Sequence, residues 1–181
     1  MINCNETPLP IDPLKNIQLD DSYYYGGQFQ ATMNHLPNGM ICGIITGDVN
    51  PNADWKSIIN NMLKAFSTKK IGIYAPNVEF TAHITKGKHL WDSLYEVPNT
   101  DCTCWFIHPD IVAKLKNIQY HQLSNYGWGI DIIFIEQCKK YNLVAARDYD
   151  LMVYQPQYTG YNIEIASIQM KELIDYYNKF Y

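Results

Sequence analysis

The apolar positions of this chain follow two periods in turn. Met40-Ile41-Cys42-Gly43-Ile44-Ile45-Thr46 is a continuous apolar run of strand length, the pattern of a strand buried on both faces. Trp55, Ile58, Ile59, Met62, Leu63 and Phe66 then fall at i, i+3, i+4, i+7, i+8 and i+11. That is the stripe of an amphipathic helix, and Asn52 or Asp54 can cap it. Residues 70–74 predict a second buried strand, stopped by Pro76. Residues 102–107 predict a third, after which Pro109 opens a short helix through Leu115. Residues 143–146 and 151–154 read as short strands on either side of Arg147-Asp148. Ile165, Ile168, Leu173, Ile174 and Tyr177 suggest a closing helix.

The segments between are more polar. Residues 1–5 read as the end of a strand, and 7–13, with three prolines, as an extended loop. A short helix over 28–34 follows the aromatic run Tyr23-Tyr24-Tyr25 and the pair Gly26-Gly27. Residues 83–92 carry two His and two Lys with weak periodicity, which suits an exposed loop. Residues 156–161 read as a turn. Strands alternating with helices predict a single α/β domain over 1–181, a mostly parallel sheet flanked by helices. In open sheets of that kind ligands bind beyond the carboxyl ends of the strands. Asp48 stands there, after the longest apolar run.

Composition narrows the picture. Of 181 residues, 47% are hydrophobic and 18% charged, so the chain can build a core and is not of the disordered class. A formal net charge of −4 argues against a non-specific phosphate binder. Nucleic acid is therefore a disfavoured partner, although Lys86–His89 could touch phosphates. The longest apolar run is far too short to span a bilayer. Five cysteines with no CxxC pair fit reduced thiols in the cytoplasm rather than a zinc site.

Two stretches carry candidate chemistry. In Asn125-Tyr126-Gly127-Trp128-Gly129-Ile130-Asp131 two glycines bracket an indole, and a carboxylate follows two residues on. Glycine tolerates positive φ and close backbone approach, and Asp131 falls in the first turn of an expected apolar helix, where the helix dipole favours it. A capped helix with a packed Trp is the alternative. In Gly47-Asp48-Val49-Asn50, the oxygens of Asp48 and Asn50 suit Mg2+ or Mn2+ holding a diphosphate. A metal-held leaving group and a separate carboxylate base are what direct group transfer requires. Arg147-Asp148 reads as a local ion pair shaping a turn, and the histidines as surface residues. There is no Gly-x-Ser-x-Gly and no Gly-x-Gly-x-x-Gly, so neither a serine hydrolase nor a dinucleotide enzyme is indicated.

In their order along the chain these elements resemble glycosyltransferases of the GT-A fold, whose donors are nucleotide sugars. Gly47-Asp48-Val49-Asn50 resembles that family's metal motif, and Gly127-Trp128-Gly129-Ile130-Asp131 the turn of galactosyltransferase-like members. The resemblance runs from about Tyr23 to Tyr161. It implies that Asp131 is the catalytic base of an inverting enzyme. It further implies that Asp101 lies at the acceptor pocket and that Trp128 and Gly129 line the sugar site. Gly27 and Gln28 are candidates for contact with the donor. The metal ligands would be Asp48, Asn50 and Gln155, the last standing where relatives often have a His before Pro156. An amide there is the poorer ligand, so the divalent metal would bind weakly or be dispensable. Ile130 replaces a second acid. The family's opening nucleotide-binding strand and helix have no counterpart before Ile2. The chain is thus expected to be either a shortened enzyme, with a glycan or modified DNA as acceptor, or a non-catalytic binding or assembly module of the same fold.

Overall fold

The computed structural model describes residues 2–3, 17–20, 22–52, 54–79, 81–156 and 160–181. The expectations for residues 7–13 and 157–159 lie outside them. In chain order the elements are β1 (Ile2–Asn3), β2 (Ile17–Gln18), α1 (Tyr25–His35), β3 (Cys42–Ile45), β4 (Asn50–Pro51), α2 (Trp55–Ser67), β5 (Ile71–Val78), β6 (His89–Trp91) and β7 (Leu94–Glu96). They continue with β8 (Cys104–Ile107), α3 (Pro109–Leu115), α4 (Tyr120–Leu123), α5 (Ile130–Lys140), β9 (Val144–Tyr154) and α6 (Ile163–Phe180). No helix among the described residues is long and apolar enough to cross a membrane.

These residues form two compact units. One holds the described residues up to Pro37, Lys116–Ile130 and 160–181. Its strands β1 and β2 pair in parallel, and its core is built by α1, α4 and α6 around Phe29, Met33, Tyr120, Leu173 and Tyr177. Phe29 and Tyr120 meet edge to face at 4.9 Å. The Tyr120 N–H donates to Gln30 Oε1 at 2.6 Å as well as to the Ile118 carbonyl at 3.1 Å, which ties the start of α4 to α1. Helix α1 starts three residues earlier than expected and takes in Gly26 and Gly27. A Cβ on Gly26 would stand 1.8 Å from the Ser124 carbonyl oxygen, so close packing outweighs the low helix propensity of glycine.

The other unit, Asn38–Leu115 with 131–156, is a seven-stranded sheet among the described residues, flanked by helices. Its order is β3-β8-β5-β9-β7-β6, with β4 also on β9. The alternation of strands and helices thus gives the expected α/β class. The strand directions differ from expectation: β5 and β9 are parallel, and every other pair in this sheet is antiparallel. Hairpin and short-connection strands fill places that crossovers would have filled in a parallel sheet. Cys104 and Phe106 join Ile58, Met62, Phe66, Tyr74 and Ala146 in a cluster under α2. Trp105 turns to the opposite face and meets Phe134 of α5 edge to face at 5.6 Å. The same alternation puts Ala146 and Asp148 on the α2 face of β9, and Ala145 and Arg147 on the α5 face. Helix α5 lies directly on the sheet because Gly72 has no side chain; a Cβ there would sit 2.5 Å from Cys138 Sγ.

Helix α2 matches its apolar stripe, and Asp54 caps it, accepting from the Ser57 N–H at 3.0 Å. Several other elements depart from the pattern. Strand β3 is an edge strand in which only Cys42 is buried, because an apolar run carries no information about how many partners a strand finds. Strand β5 runs through Pro76, where the register with β9 shifts, and a bulge tolerates the missing N–H. The two short strands around Arg147-Asp148 are one strand of 11 residues. Part of the loop expected over 83–92 is the β6–β7 hairpin, turned at Asp92 with φ 46°. Cys42, Cys104 and Cys138 are unpaired, and burial pushes each thiol up to about 12.

Candidate active site

Asp131 enters at the first turn of α5, as the sequence predicts. The Gly127 N–H donates to the Ser124 carbonyl at 2.9 Å, the Ile130 N–H to the Gly127 carbonyl at 3.4 Å, and α5 follows. Both glycines of this turn have positive φ, 86° and 88°, which side-chain-bearing residues adopt at a cost. Each is also tightly packed. A Cβ on Gly127 would lie 2.4 Å from the Tyr25 ring, and one on Gly129 3.0 Å from Met170 Cγ. The glycines are thus accounted for by backbone and packing.

The side chain of Asp131 is half-buried on the α5 face of the sheet. Burial raises its pKa above the ordinary carboxylate value; the Ile132 N–H and nearby His83 lower it, and nearby Asp101 raises it. Asp101 and the segment carrying His83 are held by Arg147, a fully buried side chain of β9. The guanidinium donates from Nη1 to the His83 carbonyl, and from Nη2 to the Asn99 carbonyl at 3.4 Å and to Asp101 Oδ2 at 3.5 Å. Thr81 Oγ1 donates to the same Asp101 oxygen at 2.6 Å and accepts from the His83 N–H at 3.0 Å. Arg147 thus ties Asp101 to the His83 segment, and Asp131 lies near enough to His83 and Asp101 to feel their charges.

His83, Thr81 and Arg147 are the residues the sequence reading missed. Arg147 does not pair with its neighbour Asp148 to shape a turn; the two point to opposite faces of a continuous strand. The signal was present, because a lone Arg inside an apolar strand must find buried acceptors. His83 sits in a polar loop and gave no signal. Asp148 is separately satisfied. It accepts from Asn61 Nδ2 at 2.9 Å, Tyr74 Oη at 3.0 Å, Ser93 Oγ and the Asp150 N–H, a network that ties α2 to the sheet.

The expected metal ligands stand elsewhere in this unit. Asp48 is exposed in the turn after β3, closed by the Val49 N–H to the Thr46 carbonyl at 3.1 Å. Asn50 pairs with Tyr154 across β4 and β9, and Gln155 is the residue after Tyr154. The donor set is one carboxylate and two carboxamides. Among the described residues no group of three or more His, Cys, Asp or Glu side chains could hold a metal ion.

Gly27, Gln28, Trp128 and Gly129 belong to the other unit. A Cβ on Gly27 would meet His121 Nδ1 and the Tyr23 ring, each at 2.8 Å, and Gln28 Nε2 donates to the Tyr23 carbonyl at 2.9 Å. Trp128 is half-buried, with Nε1 donating to Tyr161 Oη at 2.7 Å. Tyr161 stacks on Tyr126 at 4.7 Å, and Tyr24 meets Tyr126 edge-on. The indole is part of a tyrosine-rich cluster that uses its polar edge.

The sequence matches no family model and no curated protein. Two solved structures share its fold. A197 from STIV has a TM-score of 0.52 and 11% identity over 79% of this chain and 73% of that one. UDP-glucose pyrophosphorylase, solved in complex with UDP-glucose, has a TM-score of 0.50 and 13% identity over 91% of this chain and 66% of that one. The chain therefore spans just under two thirds of the pyrophosphorylase. At these identities the likeness is one of fold: a mixed α/β architecture shared with an enzyme of nucleotide-sugar chemistry.

Proposed function

We propose that this chain is an inverting glycosyltransferase that uses a nucleotide sugar, with Asp131 as its general base. The observation that carries the reading is the state of Asp131. A half-buried carboxylate with a raised pKa is a better proton acceptor than an exposed one. The fold shared with a protein solved around UDP-glucose supports the choice of donor. In the reaction the acceptor hydroxyl gives its proton to Asp131. Its oxygen forms a bond to the anomeric carbon, and the sugar–phosphate bond breaks with its electron pair on the departing nucleoside diphosphate. Asp101, fixed by Arg147 and Thr81, orients the acceptor hydroxyl. Asp48, with Asn50 and Gln155, would hold a divalent cation that neutralises the diphosphate. One protein carboxylate is too little charge for a stable cage, so the diphosphate must complete the set.

Calorimetry of Mn2+ with and without UDP and other nucleoside diphosphates tests this reading. Binding is expected only when a nucleotide is present, and Asp48→Asn removes it. Tight Mn2+ binding in the absence of nucleotide, or none with any nucleotide, would refute the shared-ligand account.

A further inference from the structure

A small pocket of about 20 Å³ lies between α2, the sheet and the β6–β7 hairpin. Its walls include Asn61 and Lys64 of α2, Tyr74 of β5, Trp91 and Ser93 of the hairpin, and Asp148 of β9. A water molecule needs about 10–15 Å³ of such space, so the pocket takes a single occupant of that size. We propose that it is a binding site for one monovalent cation, K+ or ammonium, held by the Asp148 carboxylate. The proposal is independent of the transferase reading.

Asp148 sets the charge of the pocket. It is 3% exposed, and its partners are Asn61 Nδ2, Tyr74 Oη, Ser93 Oγ and the Asp150 N–H. All four are neutral, and among the described residues no ion pair includes Asp148. A buried carboxylate with no cation beside it is costly. Arg147, its neighbour on β9, faces the other side of the sheet and is committed to His83, Asn99 and Asp101. Lys64 lines the pocket, but its ammonium binds Asp92 at 2.8 Å, and these side chains are 61% and 73% exposed. That pair forms the rim and leaves the interior to Asp148.

The lining suits a cation rather than an anion. Tyr74 Oη and Ser93 Oγ have one proton each and give it to Asp148, so to any further ligand they offer only lone pairs. Asn61 donates through Nδ2 and keeps its amide oxygen as an acceptor. Trp91 adds an indole, the ring that attracts cations best. One buried carboxylate with neutral oxygens matches a single positive charge, whereas Ca2+ sites recruit several carboxylates and Mg2+ keeps its own waters. K+ and ammonium are also close to water in size, as the volume requires.

The hairpin turn holds the site in shape. Asp92 has φ 46°, and its carbonyl accepts from His89 Nε2 at 2.8 Å. The Tyr149 N–H donates to the Ser93 carbonyl at 3.0 Å. Ser93 is thereby fixed against Asp148 from both its backbone and its hydroxyl.

The test is nuclear magnetic resonance of the full chain, following the Ser93 and Asp150 amides as KCl or ammonium chloride replaces choline chloride at constant ionic strength. Choline is too large for the pocket, so the exchange reports the site and not the salt. Saturable shifts at both amides are expected with either small cation. Asp148→Asn should abolish them. Ser93→Ala, at the turn, keeps the carboxylate and should move the midpoint to about tenfold higher K+. Lys64→Gln removes a positive charge from the rim and should move it lower. No saturable shift with K+ or ammonium overturns the proposal, as does a midpoint that Ser93→Ala leaves unchanged or a response retained in a folded Asp148→Asn variant. Shifts that appear only in Lys64→Gln would mean that the protein's own ammonium fills the pocket, and would overturn it too.

Discussion

Burial of Asp131 has a consequence for stability as well as for chemistry. Its folded-state pKa is raised above the unfolded value of about 3.9. The folded protein therefore holds this proton more tightly than the unfolded chain does. The contribution to stability is complete below the unfolded pKa and is lost as pH rises through the folded one. Asp131→Asn removes the penalty without changing shape. Scanning calorimetry should find the variant and wild type melting together below about pH 4, with the variant increasingly the more stable towards pH 7. A difference that is constant with pH, or of the opposite sign, would mean that the carboxylate is not desolvated. Arg147 gives the second residue-scale prediction. Arg147→Met removes a donor from the His83 and Asn99 carbonyls and leaves Asp101 with Thr81 but no cation, and stranding one side of a buried pair costs about 3–5 kcal/mol. Urea unfolding should show that loss for Met. Arg147→Lys keeps the charge but not the fork and should recover only part of it. A Met variant as stable as wild type would deny the clamp.

Among the elements, the β5–β9 pair decides how the sheet is fastened. Asp148 of β9 takes four donors from α2, β5 and the strand's own neighbourhood. Burial and the Asp148 charge both hold the Tyr74 hydroxyl protonated, with its pKa raised. Tyr74→Phe removes one donor and leaves a buried carboxylate oxygen with one fewer partner, at a cost of about 1–3 kcal/mol. Denaturant melts of the variant would check this, and a silent change would mean that Asn61 and Ser93 suffice. The same pair shows where sequence patterns lost information. Helix α2 was legible because its apolar stripe and Asp54 cap are local. Helix α3 was legible because Pro109 starts it. Strand β9 read as two pieces because Arg147 and Asp148 broke the apolar run, and only their long-range partners make both tolerable inside one strand. The continuous run ending at Thr46 read as a central strand, yet β3 has a single neighbour, since strand order depends on residues far away in sequence.

At the scale of the whole molecule, the placement of Asp131 in the first turn of α5 was legible from its glycine turn. The clamp on Asp101 was not, because Arg147 acts largely through carbonyls at His83 and Asn99 that no side-chain pattern encodes. Gly127 and Gly129, read as allowing positive φ or close backbone approach, have positive φ and are closely packed on Tyr25 and Met170. Asp48 is exposed in its turn, and the cation role proposed for it is what the nucleotide titration tests. The proposed role of Asp131 as proton acceptor in sugar transfer is tested most directly by the rate of labelled-sugar transfer by wild type and Asp131→Asn, with donor binding and melting followed on the same preparations. The account predicts transfer from at least one nucleotide sugar by wild type. The variant should be slower by about 10²–10⁴-fold, with donor affinity unchanged and the fold intact. Wild-type turnover in a folded Asp131→Asn variant, or no transfer by wild type from any donor, would contradict it.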